Sequence, residues 1–413
     1  MIAMMQMDFY IARHPLLDAK QEVFAYELLH RSGNDEQAAI VDGELASTEV
    51  ILNCFLHIGI DVLVGTATAF VNVTERFLKS DYATPMFDTQ IVFEIPRHVT
   101  LTPELVDLIA HSHAQGFQFC LKSMAHTEQQ QPAVLPHVDY VKIDALAGDL
   151  SQVPAQLETL RNHGIKAIAE RVETQETFAY CKTLGFEYFQ GFFFAKPQVL
   201  QQHTLTPNKV VVLNLFNKLQ APDIEVEEIE AVLAHDISLS YKFLRYINSA
   251  AFALRCEITS LRQAITLIGL NKVKQWASLI LATELAEDKP QELVVTGLVR
   301  ARMCELIAAQ RHPEAQAHMF IVGLFSVLDA LMDTPMIDLL DNLGLSMPIK
   351  VALLDYDGVS GALLKRVVDY TEGRWEQLLT DTEETATFTS AYLDSLRWAD
   401  QSIQALYGPA QAA

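Results

Sequence analysis

The chain has little of what would mark a secreted, membrane-spanning or nucleic-acid-binding protein. Cysteine is scarce: Cys54, Cys120, Cys181, Cys256 and Cys304 are the five in 413 residues, odd in number and widely spaced. They read as reduced core thiols, not as a disulfide framework or a zinc site. Basic charge is short, with 30 Lys and Arg against 52 Asp and Glu, a net −22 spread over both halves of the chain. Phosphate backbones are held by clustered Lys and Arg, so nucleic acid is excluded as a partner. No apolar run approaches the roughly 18 residues of a membrane span. The opening "MIAMMQMDFY" has neither a basic n-region nor an apolar core of useful length. These absences lead to the expectation of a cytoplasmic protein without membrane insertion. Also missing are a P-loop, a dinucleotide glycine fingerprint and a G-x-S-x-G elbow.

What is present is a 50% apolar chain, long enough that two domains are expected. After an opening pair, "DFYIARHPL" and "EVFAYELLHR", come "AFVNV", "IVFEI", "FQFCLKS", "DYVKID", "KAIAERV" and "EYFQGFFF", with amphipathic segments such as "TPELVDLIAHSHAQG" between them. Corresponding positions recur after 22 residues from Asn72 to Glu94, 28 to Lys122, 20 to Lys142, 28 to Glu170 and 20 to Gln190. That rhythm predicts a closed β/α barrel. The opening pair, joined by the short "LDAKQ", reads as a hairpin, so one barrel strand should be antiparallel.

Beyond "FAKPQVLQQHTLTPNK" the apolar period changes to that of helices. The expected fold class is therefore α/β plus all-α: a modified TIM barrel over residues 1–203 and an all-helical domain over 204–413, with the linker at 199–208. Leu213, Phe216, Leu219, Trp276, Leu279 and Leu298 recur at helical spacing and are assigned to the core. "DTEETATFTS" is expected to form an exposed loop.

The strand ends present Glu27, Asn72, Glu94, Lys122, Lys142 with Asp144, Glu170 with Glu173, and Gln190. Polar groups at this face of a β/α barrel are where chemistry is normally built. Converging acidic and amide oxygens there are raw material for a hard-cation site. Any one of them taken alone is more simply a solvated strand terminus or a partner in a barrel salt bridge, and it is the whole ring that points to a site.

The order of "YELLHR", "FVNVTERFL", "FEIPR", "YVKID", "AERVE" and "YFQGFFFAKP" resembles the successive motifs of EAL domains, the cyclic di-GMP phosphodiesterase family. The resemblance implies a modified TIM barrel with a reversed strand. It places the family's metal ligands on Glu27, Asn72 and Glu94, its water-activating lysine on Lys142, its outer carboxylates on Glu170 and Glu173, and its late glutamine on Gln190. Arg31 matches an arginine that contacts a ligand phosphate.

The pattern breaks where the family carries an aspartate pair, because this chain has Lys122 and Ser123. Two divalent cations need several anionic ligands to offset their charge and acidify a bridging water. An ammonium group at that position repels a cation and is expected to replace it by pairing with Glu27 or Glu94. Pro96 with Arg97, and Arg171, also depart from the family's motifs, and "SGNDEQAAIVDGELAST" lacks the element that walls its nucleotide pocket.

The helical half resembles the HDOD domain, a relative of HD metal phosphohydrolases, through Leu244, Asn248, Phe252 and "SLRQAITLIG". A barrel of this type followed by HDOD is the arrangement of YuxH-like bacterial signalling proteins. His235-Asp236 is read as a turn in which Asp236 caps the next helix. The segment matching the HD metal couple reads Ser326-Val327, and no histidine follows His318.

Three readings follow. The first is a non-catalytic regulator working through protein partners in cyclic di-GMP-linked signalling. The second is a receptor that binds cyclic di-GMP without cleaving it. The third is a residual phosphodiesterase, the one case in which Mg²⁺ or Mn²⁺ would be a cofactor.

Overall fold

The computed structural model describes residues 9–32, 59–78, 90–122, 131–145, 152–196, 207–221, 224–225, 227–229, 246–248, 258, 260–286, 289–313, 315–378 and 382–407. Chain contacts divide it into two compact units, 1–194 with 380–386, and 195–379 with 387–413.

The first unit is built on a closed eight-stranded barrel in sequential order. Its strands are β1 (Phe9–Asp18), β2 (Val23–Ser32), β3 (Thr68–Asn72), β4 (Ile91–Ile95), β5 (Gln118–Lys122), β6 (Tyr140–Asp144), β7 (Lys166–Glu170) and β8 (Tyr188–Gln190). β1 runs antiparallel to both β2 and β8, and every other pair is parallel. The hairpin follows from its turn: Asp18 Oδ1 accepts the amides of Lys20 and Glu22 at 2.8 and 2.9 Å, and Gln21 takes a left-handed φ of 66°.

Inside the barrel one layer is formed by Leu16, Ala25, Phe70, Val92, Cys120, Tyr140 and Ile168, one from each of β1 to β7, with Phe24 and Tyr188 packed against it. Side chains alternate along a strand, so the residue two positions later points inward one level higher. That level holds Glu27, Asn72, Glu94, Lys122, Lys142, Glu170 and, after Tyr188, Gln190. The apolar layer thus forms a floor beneath the polar one.

Outer helices form where the sequence supplies caps. Thr102 accepts the Leu105 amide to open Pro103–Ala114, Thr174 accepts that of Thr177 to open Gln175–Leu184, and Gly185 closes the latter in a left-handed conformation. "EYFQGFFF" does not continue as a strand: β8 stops at Gln190, Gly191 turns the chain at φ 150°, and Phe192–Ala195 form a 3₁₀ turn.

The second unit is helical. Its longer described helices are Pro207–Gln220, Leu261–Ile268, Leu270–Leu285, Gln291–Arg311, Gln316–Phe325, Met347–Asp355, Gly358–Thr371 and, from Thr387 on, the greater part of Thr382–Tyr407. The helix opening at Pro207 takes the last two residues of the expected linker, since proline is tolerated in a first turn. Phe216, Leu219, Trp276, Leu279 and Leu298 are buried as expected; the side chain of Leu213 lies outside the described residues, as do Asp236 and its neighbours. Asn248 donates Nδ2–H to Ile258 O and accepts Ile258 N–H at Oδ1, both at 2.7 Å, clamping two chain segments.

The expected loop "DTEETATFTS" is instead, from Thr382 on, the start of the 26-residue helix Thr382–Tyr407, and Asp381 lies outside the described residues. Glu383 and Glu384 suit a helix N-terminus, and Thr385, Phe388 and Thr389 are buried. The Thr389 hydroxyl accepts from Tyr370 at 3.1 Å, which gives a polar residue a reason to lie inside.

Candidate functional site

At the upper level of the barrel, two carboxylates and two ammonium groups form a closed square. Lys122 Nζ lies 3.0 Å from Glu27 Oε1 and 3.0 Å from Glu94 Oε1. Lys142 Nζ lies 2.8 Å from Glu27 Oε2 and 2.7 Å from Glu94 Oε2. Glu27 also accepts from Asn72 Nδ2 at 3.0 Å and from Gln190 Nε2 at 2.6 Å. Glu27, Glu94, Lys142 and Gln190 are buried, and Lys122 reaches the square from the cleft side with 23% of its side chain exposed.

The environment divides the two carboxylates. Burial alone would raise both. At Glu27 the charges of Lys142 and Lys122, with hydrogen bonds from Lys142 and Gln190, hold the carboxyl well below its ordinary value. At Glu94 burial and then the like charge of Glu27 outweigh the two lysines, and its pKa is raised. Glu94 meets the ammonium groups at ion-pair distance but outside good hydrogen-bond angles. Burial also opposes charge on both lysines, yet Glu27 and Glu94 raise them, joined by Glu170 at Lys122.

A second tier surrounds the square. Lys122 Nζ lies 3.5 Å from Glu170 Oε1. Arg97 reaches Glu170 at 3.1 Å and Asp144 at 3.6 Å, and Arg171 reaches Asp144 at 2.9 Å. Four acidic groups, Glu27, Glu94, Asp144 and Glu170, are therefore matched by Lys122, Lys142, Arg97 and Arg171. Arg97 and Arg171 were visible in the sequence only as motif departures. The signal that marks them is a basic residue just past a strand end, beside an expected outer carboxylate. Arg171 has a left-handed φ of 61°, which a glycine would adopt without strain.

Above this lattice opens a cleft of about 520 Å³, lined among others by Leu29, His30, Pro96, Arg97, His98 and Arg171. Glu173 is exposed and does not line it. Arg31 belongs to β2, but its side chain, like Ser123, lies outside the described residues.

These residues do not fit a divalent cation. All four carboxylate oxygens of Glu27 and Glu94 already face ammonium nitrogens at 2.7 to 3.0 Å. Asn72 turns an N–H, not its oxygen, toward Glu27. A cation placed there would meet two positive charges and too few free anionic ligands. Among the described residues no group of three or more His, Cys, Asp or Glu is arranged to hold a metal.

The helical unit also holds a buried side-chain cation, Arg300. It donates to Glu372 at 2.8 Å, Thr371 at 3.3 Å and Ser326 at 3.5 Å. Burial pushes its pKa down to about 10. Ser326 is one half of the segment that the resemblance matches to the HD metal couple, and it meets the Arg300 guanidinium at the outer limit of hydrogen-bond distance.

Comparison with known proteins agrees with both halves. The EAL domain family model matches residues 72–197, and the HDOD domain model matches 205–334. The cyclic di-GMP phosphodiesterase CdgJ of Vibrio cholerae is 32% identical over 371 residues, 89% of this chain and 86% of that protein. The uncharacterized protein YuxH of Bacillus subtilis is 28% identical over 409 residues, 97% of this chain and all of that protein. Among solved structures, a standalone EAL protein of Vibrio cholerae bound to cyclic di-GMP matches 46% of this chain and 92% of its own, at 21% identity and a TM-score of 0.35. The calcium and cyclic di-GMP complex of Klebsiella pneumoniae BlrP1 matches 46% and 56%, at 19% identity and a TM-score of 0.39. No described helix is long and apolar enough to cross a membrane. With EAL and HDOD domains in this order and a relative matched over most of both chains, the protein belongs to the EAL–HDOD family of cyclic di-GMP signalling proteins.

Proposed function

We propose that this protein is a non-catalytic regulator in cyclic di-GMP signalling, acting through contact with other proteins. The observation that carries the reading is Lys122 Nζ at 3.0 Å from both Glu27 and Glu94. Hydrolysis by this scaffold needs metal-bound water, and a tethered ammonium group supplies charge without Lewis acidity or an exchangeable ligand position. The name of the Vibrio relative favours hydrolysis instead. For that reading Lys122 must leave two buried carboxylates and a cation must take its place, with Glu27, Asn72 and Glu94 as its ligands.

A second reading is binding of cyclic di-GMP without cleavage. It is favoured by the open cleft above the lattice, where Arg97 and His30 offer donors beside the apolar Leu29 and Pro96. Calorimetric titration with cyclic di-GMP, with and without Mg²⁺ or Mn²⁺, tests both readings. The regulator gives no metal-dependent turnover, and binding with the nucleotide recovered intact selects the receptor. Turnover that needs metal and disappears in Glu27→Ala overturns both.

A further inference from the structure

Eight large apolar side chains are exposed among the described residues, and five of them lie between Ile337 and Val359. Four belong to one turn-linked pair of helices. Met347 is 68% exposed and Leu354 38% exposed in the helix Met347–Asp355. Their seven-residue spacing puts them on one face. Tyr356 and Val359, 39% and 51% exposed, follow in the turn and at the start of Gly358–Thr371.

The turn is held rigidly. Tyr356 has a left-handed φ of 55°, a strained conformation for a bulky residue. Gly361 packs against it so closely that a Cβ there would lie 2.2 Å from the Tyr356 carbonyl carbon. Asp357 caps the following helix by accepting the Gly358 amide at 2.7 Å.

Charge decides what can cover this surface. Between residues 336 and 360 the sequence has Asp338, Asp341, Asp355 and Asp357 against the single base Lys350. The four aspartates are exposed and Lys350 is half-buried. A second copy meeting this face by two-fold symmetry would oppose aspartate to aspartate, and an anionic lipid surface would be repelled.

We propose that Met347, Leu354, Tyr356 and Val359 form a docking surface for a partner-protein segment that presents aliphatic side chains flanked by lysine or arginine. This deepens the regulator reading and rests on it for the need of a partner, but it involves no residue of the barrel. Its failure would leave the lysine-for-metal argument intact, and turnover in the barrel would leave this surface untouched.

The test uses the full chain and a fluorescein-labelled synthetic helical peptide with leucines on one face and lysines on the other, read by anisotropy. Saturable binding is expected, weakened about tenfold or more by Met347→Glu and by Val359→Glu. Both changes add negative charge, so attraction to an acidic protein as a whole would leave binding unchanged or tighter. That result, or the absence of saturable binding, overturns the proposal. Circular dichroism confirms that each variant is folded, and the two variants act at opposite ends of the surface. Light scattering that shows a concentration-dependent dimer abolished by Met347→Glu assigns the surface to a second copy and also overturns it.

Discussion

Lys122 and Glu27 are joined across the barrel interior at 3.0 Å, although 95 residues separate them in the chain. On the proposed reading this lysine stands where the EAL resemblance places a metal between Glu27 and Glu94. The first prediction reverses that substitution. Lys122→Asp should bind Mn²⁺ at least tenfold more tightly than the parent, because it removes a positive charge and adds a ligand oxygen. Without metal it should melt lower, and at about 100 times the dissociation constant Mn²⁺ should restore about 2.7 kcal/mol. Thermal melting against Mn²⁺ concentration checks both parts, and an unaltered response to metal opposes them.

Lys142 is fully buried between the same two carboxylates. Lys142→Met keeps most of the volume but leaves Glu27 and Glu94 with only Lys122 for an ammonium partner. The expected loss is about 3–5 kcal/mol in denaturant unfolding, the usual result of breaking a buried ion pair from one side. Loss from Lys122→Met should be smaller, since that side chain is partly solvated.

Acid should unlock the lattice through Glu27. Its folded pKa lies below the ordinary 4.5, so it contributes stability above pH 4.5 that fades as pH falls through the lower folded value. Glu94, with a raised pKa, works in the opposite sense: its proton is favoured in the folded state, so its contribution fades as pH rises above 4.5. Glu27→Gln should therefore be much less stable than the parent near neutrality, with the gap closing below pH 4.5. Denaturant melts across that range test the sign, and a gap independent of pH contradicts it.

Gly191 sets Gln190 in place. A Cβ at Gly191 would fall 1.8 Å from the Val172 carbonyl oxygen, on the segment whose Val172 amide donates to Gln190 O at 2.9 Å. Gly191→Ala should cost about 1–3 kcal/mol and shift the side-chain amide resonance of Gln190. A melting temperature equal to the parent's would show that the two segments separate freely.

Much of this was legible in the sequence because barrel strands have a strict two-residue period. Ala25 precedes Glu27, Phe70 precedes Asn72, Val92 precedes Glu94, Cys120 precedes Lys122 and Tyr140 precedes Lys142, each by two positions, and parallel strands then bring the second members to one level. The hairpin was legible from its short connection. Less legible was what depends on a neighbour far along the chain. Arg97 and Arg171 became part of the lattice only once β4, β6 and β7 put them beside Asp144 and Glu170. "DTEETATFTS" looks polar enough for a loop, and its helix depends on partners such as Tyr370 that accommodate buried threonine hydroxyls. The turn after Gln190 was hidden by an aromatic run that resembles a strand until the position of Gly191 is known.

The most direct test of the central claim is product analysis after prolonged incubation of the purified protein with cyclic di-GMP and Mn²⁺. With Lys122 in place of a catalytic cation, only intact cyclic nucleotide should be recovered. Linear dinucleotide that accumulates with the parent protein and not with Glu27→Ala would contradict the account.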